Sequence, residues 1–149
     1  MSQQNPSLEL HRMVYRLNRL MNEYFQRYMD QEGLHDLQPS IGVVLLPLIE
    51  EEGQTLSSLA RKLNMKAPTV TVIANRLEER GWIIRERGTD DRRQVRLYLS
   101  AEGRRTAEIM SRIRRKMVQS MTGGMDRDGV ISTNETLMHL FTNLEGKMP

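Results

Sequence analysis

Apolar residues recur every three or four positions from residue 8 to residue 31. Leu10, Val14, Leu17, Met21, Tyr24 and Tyr28 form one stripe, and Arg12, Arg16, Arg19, Glu23 and Arg27 take the other side. The spacing predicts a long helix that Gly33 ends. The stripe is long for a helix that leads so short a domain, and two readings stand: ordinary core packing, or packing against another subunit. Pro39-Ser40 opens a second predicted helix reaching about Glu52, with Val44, Leu45, Leu48 and Ile49 inward and Gly53 closing it. Pro47 lies inside this helix and has no N–H for the Val43 carbonyl, so a kink is expected.

The pattern then shortens. Thr55 is a good N-cap for a helix over Leu56–Leu63. Asn64-Met65-Lys66 reads as a turn, and Ala67-Pro68 starts the next helix with proline in the first turn, where its missing N–H costs nothing. Val70, Ile73, Ala74 and Leu77 are its expected buried face; Thr69, Val72, Asn75, Arg76 and Glu79 face away. Arg80-Gly81 marks its end. Two strands are predicted after it, Trp82–Arg87 and Gln94–Leu99, the second alternating Val95, Leu97 and Leu99 against Gln94, Arg96 and Tyr98. Residues 88–93 join them. Ser100 caps a helix to about Met121, with Ile109, Ile113 and Met117 inward and Arg112, Arg114, Arg115 and Lys116 as a basic run. A turn over Thr122–Gly129 precedes a last helix, about Thr133–Glu145, which carries Leu137, Leu140, Phe141 and Leu144.

Two short helices, a tight turn and a small residue, Ala60, where the helices cross are the parts of a helix-turn-helix. Its second helix offers its N-terminal residues to base edges in a DNA major groove. Thr69 and Thr71 can donate to phosphate or base, Val72 can pack on a thymine methyl, and Asn75 and Arg76 can reach bases or backbone. Ser57, Arg61 and Lys66 are placed to touch phosphate. A helical hairpin with a polar face would show the same pattern, and the ribbon shifts the balance. Arg85, Arg87, Arg92, Arg93 and Arg96 crowd into it, with Asp90 and Asp91 beside them. An arginine on a narrow loop suits the minor groove, where negative potential is concentrated. Arg93 is expected there, Asp91 holding it extended through a charge-assisted hydrogen bond and Arg92 nearer the backbone.

Charge agrees with this placement. Residues 1–60 carry net −4, residues 61–96 net +5 and residues 97–149 net +2, so the positive charge peaks over the motif. Of the 149 residues, 38% are hydrophobic and 5% aromatic, and so lean a core can gain burial between subunits. There is no cysteine, which excludes disulfides, Cys-based zinc sites and thiol redox sensing within the chain. Its first twelve residues lack a charged region followed by an apolar run, and no apolar stretch approaches the roughly 18 residues a membrane span needs. A cytoplasmic protein with no membrane contact is expected.

Leu77-Glu78-x-x-Gly81-Trp82-Ile83, then Asp91-Arg92-Arg93, then Leu99-Ser100-x-x-Gly103 resembles the MarR/SlyA regulators. Their pattern is an L-E-x-x-G-aromatic-aliphatic run, a D-R-R wing tip and L-T-x-x-G opening the next helix. The likeness runs over nearly the whole chain. Two positions depart: Ser100 replaces the usual threonine, a mild change for an N-cap, and Val72 stands where several relatives place a polar or basic residue. The resemblance implies an α+β, mainly α, winged helix-turn-helix in a single MarR-type domain. Residues 8–35 and 100–149 would be dimerisation helices. Residues 37–99 would be the DNA-binding part, with the helix-turn-helix at 56–80 and the wing at 82–99. It further implies a homodimeric repressor or activator on a pseudo-palindromic operator, often released by a small phenolic or other aromatic ligand.

The expected DNA-contacting set is therefore Ser57, Arg61, Lys66, Pro68, Thr69, Thr71, Val72, Asn75, Arg76, Asp91, Arg92 and Arg93. Tyr15, Arg16 and Tyr24 are candidates to line an effector pocket between dimerisation and DNA-binding parts; solvated charge and interface aromatics are their plainer roles. His11, His35 and His139 are scattered without metal-ligand spacing, and neither metal nor cofactor is expected. The eleven methionines read as adaptable core filler. No nucleophile, phosphate-loop or dinucleotide motif is present, so an enzyme is a remote alternative. The nearer rival is a winged-helix module that binds protein instead of DNA.

Overall fold

The computed structural model describes residues 5–35, 37, 39–88 and 94–148. The elements run α1 (Pro6–Gln31), α2 (Pro39–Glu50), β1 (Gln54–Thr55), α3 (Leu56–Lys62), α4 (Ala67–Glu79), β2 (Ile83–Arg87), β3 (Val95–Leu99), α5 (Ala101–Thr122) and α6 (Arg127–Glu145). The chain divides into two compact units, residues 1–115 and 116–149, with the division falling inside α5. The mainly helical α+β class expected from the sequence is observed.

The core belongs to the first unit. Val44, Leu45 and Leu48 of α2, Leu59 of α3, Val70, Ala74 and Leu77 of α4, Leu97 of β3 and Met110 of α5 are wholly buried together. Each fully buried aliphatic side chain here contributes about 1.5–3 kcal/mol over its exposed state. From α1 only Phe25 and Met29 are buried. Of the two readings of the expected stripe, packing in this chain's own core does not hold: Leu10, Val14 and Leu17 are exposed, Tyr24 and Tyr28 are half-buried, and the core-facing pair is one helical turn apart on a neighbouring line. On α5 the buried line is Gly103, Thr106, Ala107, Met110 and Ile113, while Ile109 and Met117 sit at its margin.

The sheet has three strands in the order β1-β3-β2, all pairs antiparallel, where two were expected. β1 pairs Gln54 with Leu97 and Thr55 with Arg96. It was missed because two residues carry no period. Gln54 is buried and donates from Nε2 to the carbonyls of Pro47 (3.0 Å) and Glu51 (2.8 Å), so it ties β1 to the end of α2. Of the expected inward residues of β3, Leu97 and Leu99 are buried and Val95 is exposed, since at the ribbon's far end there is no core to cover it.

The local stops follow backbone chemistry. Asn64 has a φ of 49° and ends α3: Met65 N donates to Ala60 O (2.9 Å) and Asn64 N to Arg61 O (3.1 Å). Gly81 (φ 70°) ends α4 in the same way, with Trp82 N on Leu77 O (2.9 Å) and Gly81 N on Glu78 O (2.8 Å). Thr55 Oγ1 accepts from Ser58 N at 3.1 Å, as the cap reading required. Ser100 Oγ accepts from Gly103 N (3.0 Å) and donates to Gly81 O (2.6 Å), so one hydroxyl starts α5 and fastens it to the end of α4. A Cβ on Gly103 would lie 1.8 Å from the Trp82 carbonyl oxygen, and only glycine lets α5 approach that close.

In the second unit α6 begins at Arg127, six residues before the expected start. The Asp126 side chain caps it by accepting from Gly129 N at 2.8 Å. Gly129 and the β-branched Val130 and Ile131 lower helix propensity and hid this first stretch. No residue of α6 is buried.

Candidate nucleic-acid interface

α4 is held by one side and offered by the other. Val70, Ile73, Ala74 and Leu77 are buried, while Pro68, Thr69, Val72, Asn75, Arg76 and Glu79 are exposed. At about 100° per residue the exposed set forms one continuous face opposite the buried line. Val72, half exposed, is an aliphatic side chain on an otherwise polar surface. The division matches the sequence expectation residue by residue. Thr71 lies at the edge, half-buried, and its hydroxyl donates to the Ala67 carbonyl at 2.9 Å. In this position the hydroxyl proton is engaged within the helix.

Beside the N-terminus of α4 lies an open groove lined by Thr55, Leu56, Ser57, Arg61, Ala67, Gln94 and Val95. It brings Ser57 and Arg61 of α3 together with the start of α4. Lys66, at the N-cap position of α4, is exposed. The cations and the free N–H groups of that helix start give this side positive potential. Thr55 and Gln94 were not in the expected set. Their signal was only positional: one ends the missed strand β1, and the other directly precedes β3.

The ribbon is anchored by two of its arginines. Arg85 on β2 places Nε 3.1 Å from Glu78 Oε2 and donates from Nη2 to Asn75 Oδ1, both on α4. Arg96 on β3 donates from Nη1 to Gly53 O at 2.8 Å. Both had been counted in a basic crowd; their positions assign them to fastening the sheet. The far ends of β2 and β3 meet where Gly88 N donates to Gln94 O at 2.8 Å. Asp91, Arg92 and Arg93 lie outside the described residues.

The acidic run at the end of α2 spreads outward to three cations. Glu50 takes Arg114 (2.9 Å), Glu51 takes Lys62 (3.5 Å) and Glu52 takes Arg104 (2.7 Å). Glu52 also accepts from Leu99 N at 3.1 Å. Arg112 reaches Glu32 at 3.4 Å. The basic run on α5 is thus partly spent on structure. Each exposed pair contributes at most about 1 kcal/mol.

The proposed effector residues do not converge within the chain. Tyr15 and Arg16 share a surface hollow with Glu9, His11, Arg12 and Met13. Tyr24 sits roughly half a turn away in azimuth from Tyr15 and packs on Tyr28, ring centroids 4.5 Å apart. The Tyr28 hydroxyl is pushed above its ordinary range, first by its hydrogen bond with Tyr24 and then by that neighbour's charge. Among the described residues no cluster of His, Asp or Glu could hold a metal ion. Among them, too, no helix is long and apolar enough to cross a membrane.

Three helices, α2 to α4, and a three-stranded sheet make a winged helix-turn-helix. Residues 37–95 match the model of the MarR family. Over that segment the chain is similar to the MarR family, and the relatives it resembles are HTH-type transcriptional regulators. It is 26% identical over 117 residues to the HTH-type transcriptional regulator SarZ of Staphylococcus saprophyticus, covering 78% of this chain and 79% of that one. Among solved structures it is similar to Streptococcus pneumoniae FabT in complex with DNA (TM-score 0.77, 22% identity, 95% of this chain and 99% of that one). It is also similar to Bordetella bronchiseptica BpsR, whose DNA binding is regulated by 6-hydroxynicotinic acid (TM-score 0.71, 22% identity, 94% of each chain). At such identities the structural likenesses establish the fold.

Proposed function

We propose that the protein is a sequence-specific DNA-binding repressor that works as a homodimer on a pseudo-palindromic operator and is released by a small aromatic ligand. The observation that carries this is α4: four buried residues fix it, and a polar face centred on Val72 stands clear beside a groove bearing Ser57 and Arg61. Thr69, Val72 and Arg76 set base preference in this reading. Ser57, Arg61 and Lys66 contact phosphate, Pro68 lets the helix start approach the backbone, and Arg93 with Asp91 and Arg92 engages the minor groove. The FabT structure with DNA supports the docking class, and BpsR supports an aromatic acid as effector.

Homodimerisation is supported by apolar residues left uncovered in the single chain. On α1 these include Leu8, Met13 and Leu20; on α6 they include Leu137 and Phe141. In this reading the effector binds beside Tyr15 and Arg16 of α1, which share one hollow where a cation and an aromatic ring suit an aromatic carboxylate, while Tyr24 lies on the other side of the helix. The deciding experiment is selection of DNA fragments by the purified protein, followed by footprinting with and without aromatic acids. An enriched inverted repeat with half-sites roughly 10 bp apart is expected. Binding no stronger than to competitor DNA at physiological salt would overturn the DNA reading. A footprint unmoved by any aromatic acid would remove the effector assignment alone.

A further inference from the structure

Asn75 lies on the exposed face of α4, and its side chain is not free. Arg85, reaching across from β2, donates from Nη2 to Asn75 Oδ1 while its Nε rests against Glu78. A guanidinium carries only donors, so the amide atom turned toward it is the oxygen. Glu78 holds Arg85 in place, and Arg85 in turn fixes which way the amide faces. The oxygen points to the ribbon and the Nδ2 group points away from it. Among the described residues Nδ2 has no hydrogen-bond partner.

An asparagine with both ends available reads adenine by accepting from N6 and donating to N7. An amide whose oxygen accepts from Arg85 is turned toward the ribbon, and it must leave that bond or share its oxygen's second lone pair to lay both ends against one adenine. It can still donate, and guanine offers it two adjacent acceptors, N7 and O6, and thymine O4, whereas adenine offers N7 alone beside an N6 amino group that also donates. We propose that Arg85 is a specificity-determining positioning residue that makes Asn75 a donor-only reader, which sets the base preference at one position of each half-site against adenine. This rests on the DNA-binding reading above and adds to it which chemical edge Asn75 recognises and what decides that.

The test is base preference at every operator position, measured by selection and sequencing for wild type, Asn75→Ala, Arg85→Ala and Arg85→Met, and the Asn75→Ala/Arg85→Ala pair. Arg85→Met keeps an aliphatic stem on β2, and thermal melts report whether each variant folds. For the wild type, guanine or thymine is expected at one half-site position. Asn75→Ala flattens the preference there and nowhere else. Both Arg85 variants move it toward adenine by about fivefold or more, and the double variant behaves as Asn75→Ala. If the Arg85 variants weaken all sequences equally with the ranking intact, Arg85 is only a brace for the ribbon and the inference is wrong. Adenine at the Asn75-dependent position in the wild type would also overturn it. If the wild type enriches no sequence, the DNA-binding reading itself has failed, an outcome distinct from an enriched operator whose ranking ignores Arg85.

Discussion

α4 and α6 carry similar numbers of apolar residues and treat them in opposite ways. α4 buries Val70, Ile73, Ala74 and Leu77. α6 buries nothing: Leu137 is 42% exposed, Phe141 50% and Leu144 71%. The hydrophobic term is the same for both, about 25 cal/mol for each Å² of apolar surface removed from water. In α4 one chain satisfies it. In α6 it stands unspent within the chain, and it is this face that the proposed dimer would cover. An apolar stripe in a sequence therefore states that a face will be covered, not by which chain.

The sharpest way to break this contrast is to charge the uncovered face. Leu137→Glu with Phe141→Glu should abolish the dimer, seen by sedimentation, and take operator binding below detection. A variant that remains a dimer and binds DNA would move the interface elsewhere. Leu77→Ala should act on the other side of the comparison, costing about 2–5 kcal/mol in chemical denaturation through the cavity it leaves. The loss should appear within each subunit's fold, whereas melting of the wild type should rise with protein concentration through dimer formation. Arg93→Ala should leave stability alone and weaken operator binding by about 1–3 kcal/mol at matched salt. Lys66→Ala should have the smallest effect, lowering affinity for every sequence alike and making the salt slope shallower by about one unit.

The part of the molecule legible in the sequence was the part closed within one chain. The buried face of α4, the Thr55 and Ser100 caps, and the Asn64 and Gly81 turns each depend on neighbours a few residues away. What escaped depended on distant partners or on too few residues. β1 is two residues long and exists because β3 lies beside it. α1 was assigned its apolar line by period, yet packing chose Phe25 and Met29. Arg85 and Arg96 read as charge available for DNA, because nothing local announces that Glu78, Asn75 and Gly53 hold them. The α6 start was hidden by Gly129 and two β-branched residues after a good aspartate cap.

The contact of Gly103 with the Trp82 carbonyl has a consequence for motion. Most packed surfaces in a protein are cushioned by side chains that change rotamer within nanoseconds and absorb small displacements. Here two backbones touch with no side chain between them, and the Ser100 hydroxyl is bonded to both sides. Such a joint has no slack. The root of the wing and the first turn of α5 must travel together, so a tilt imposed on α5 becomes a tilt of the ribbon instead of being lost in rearranged side chains.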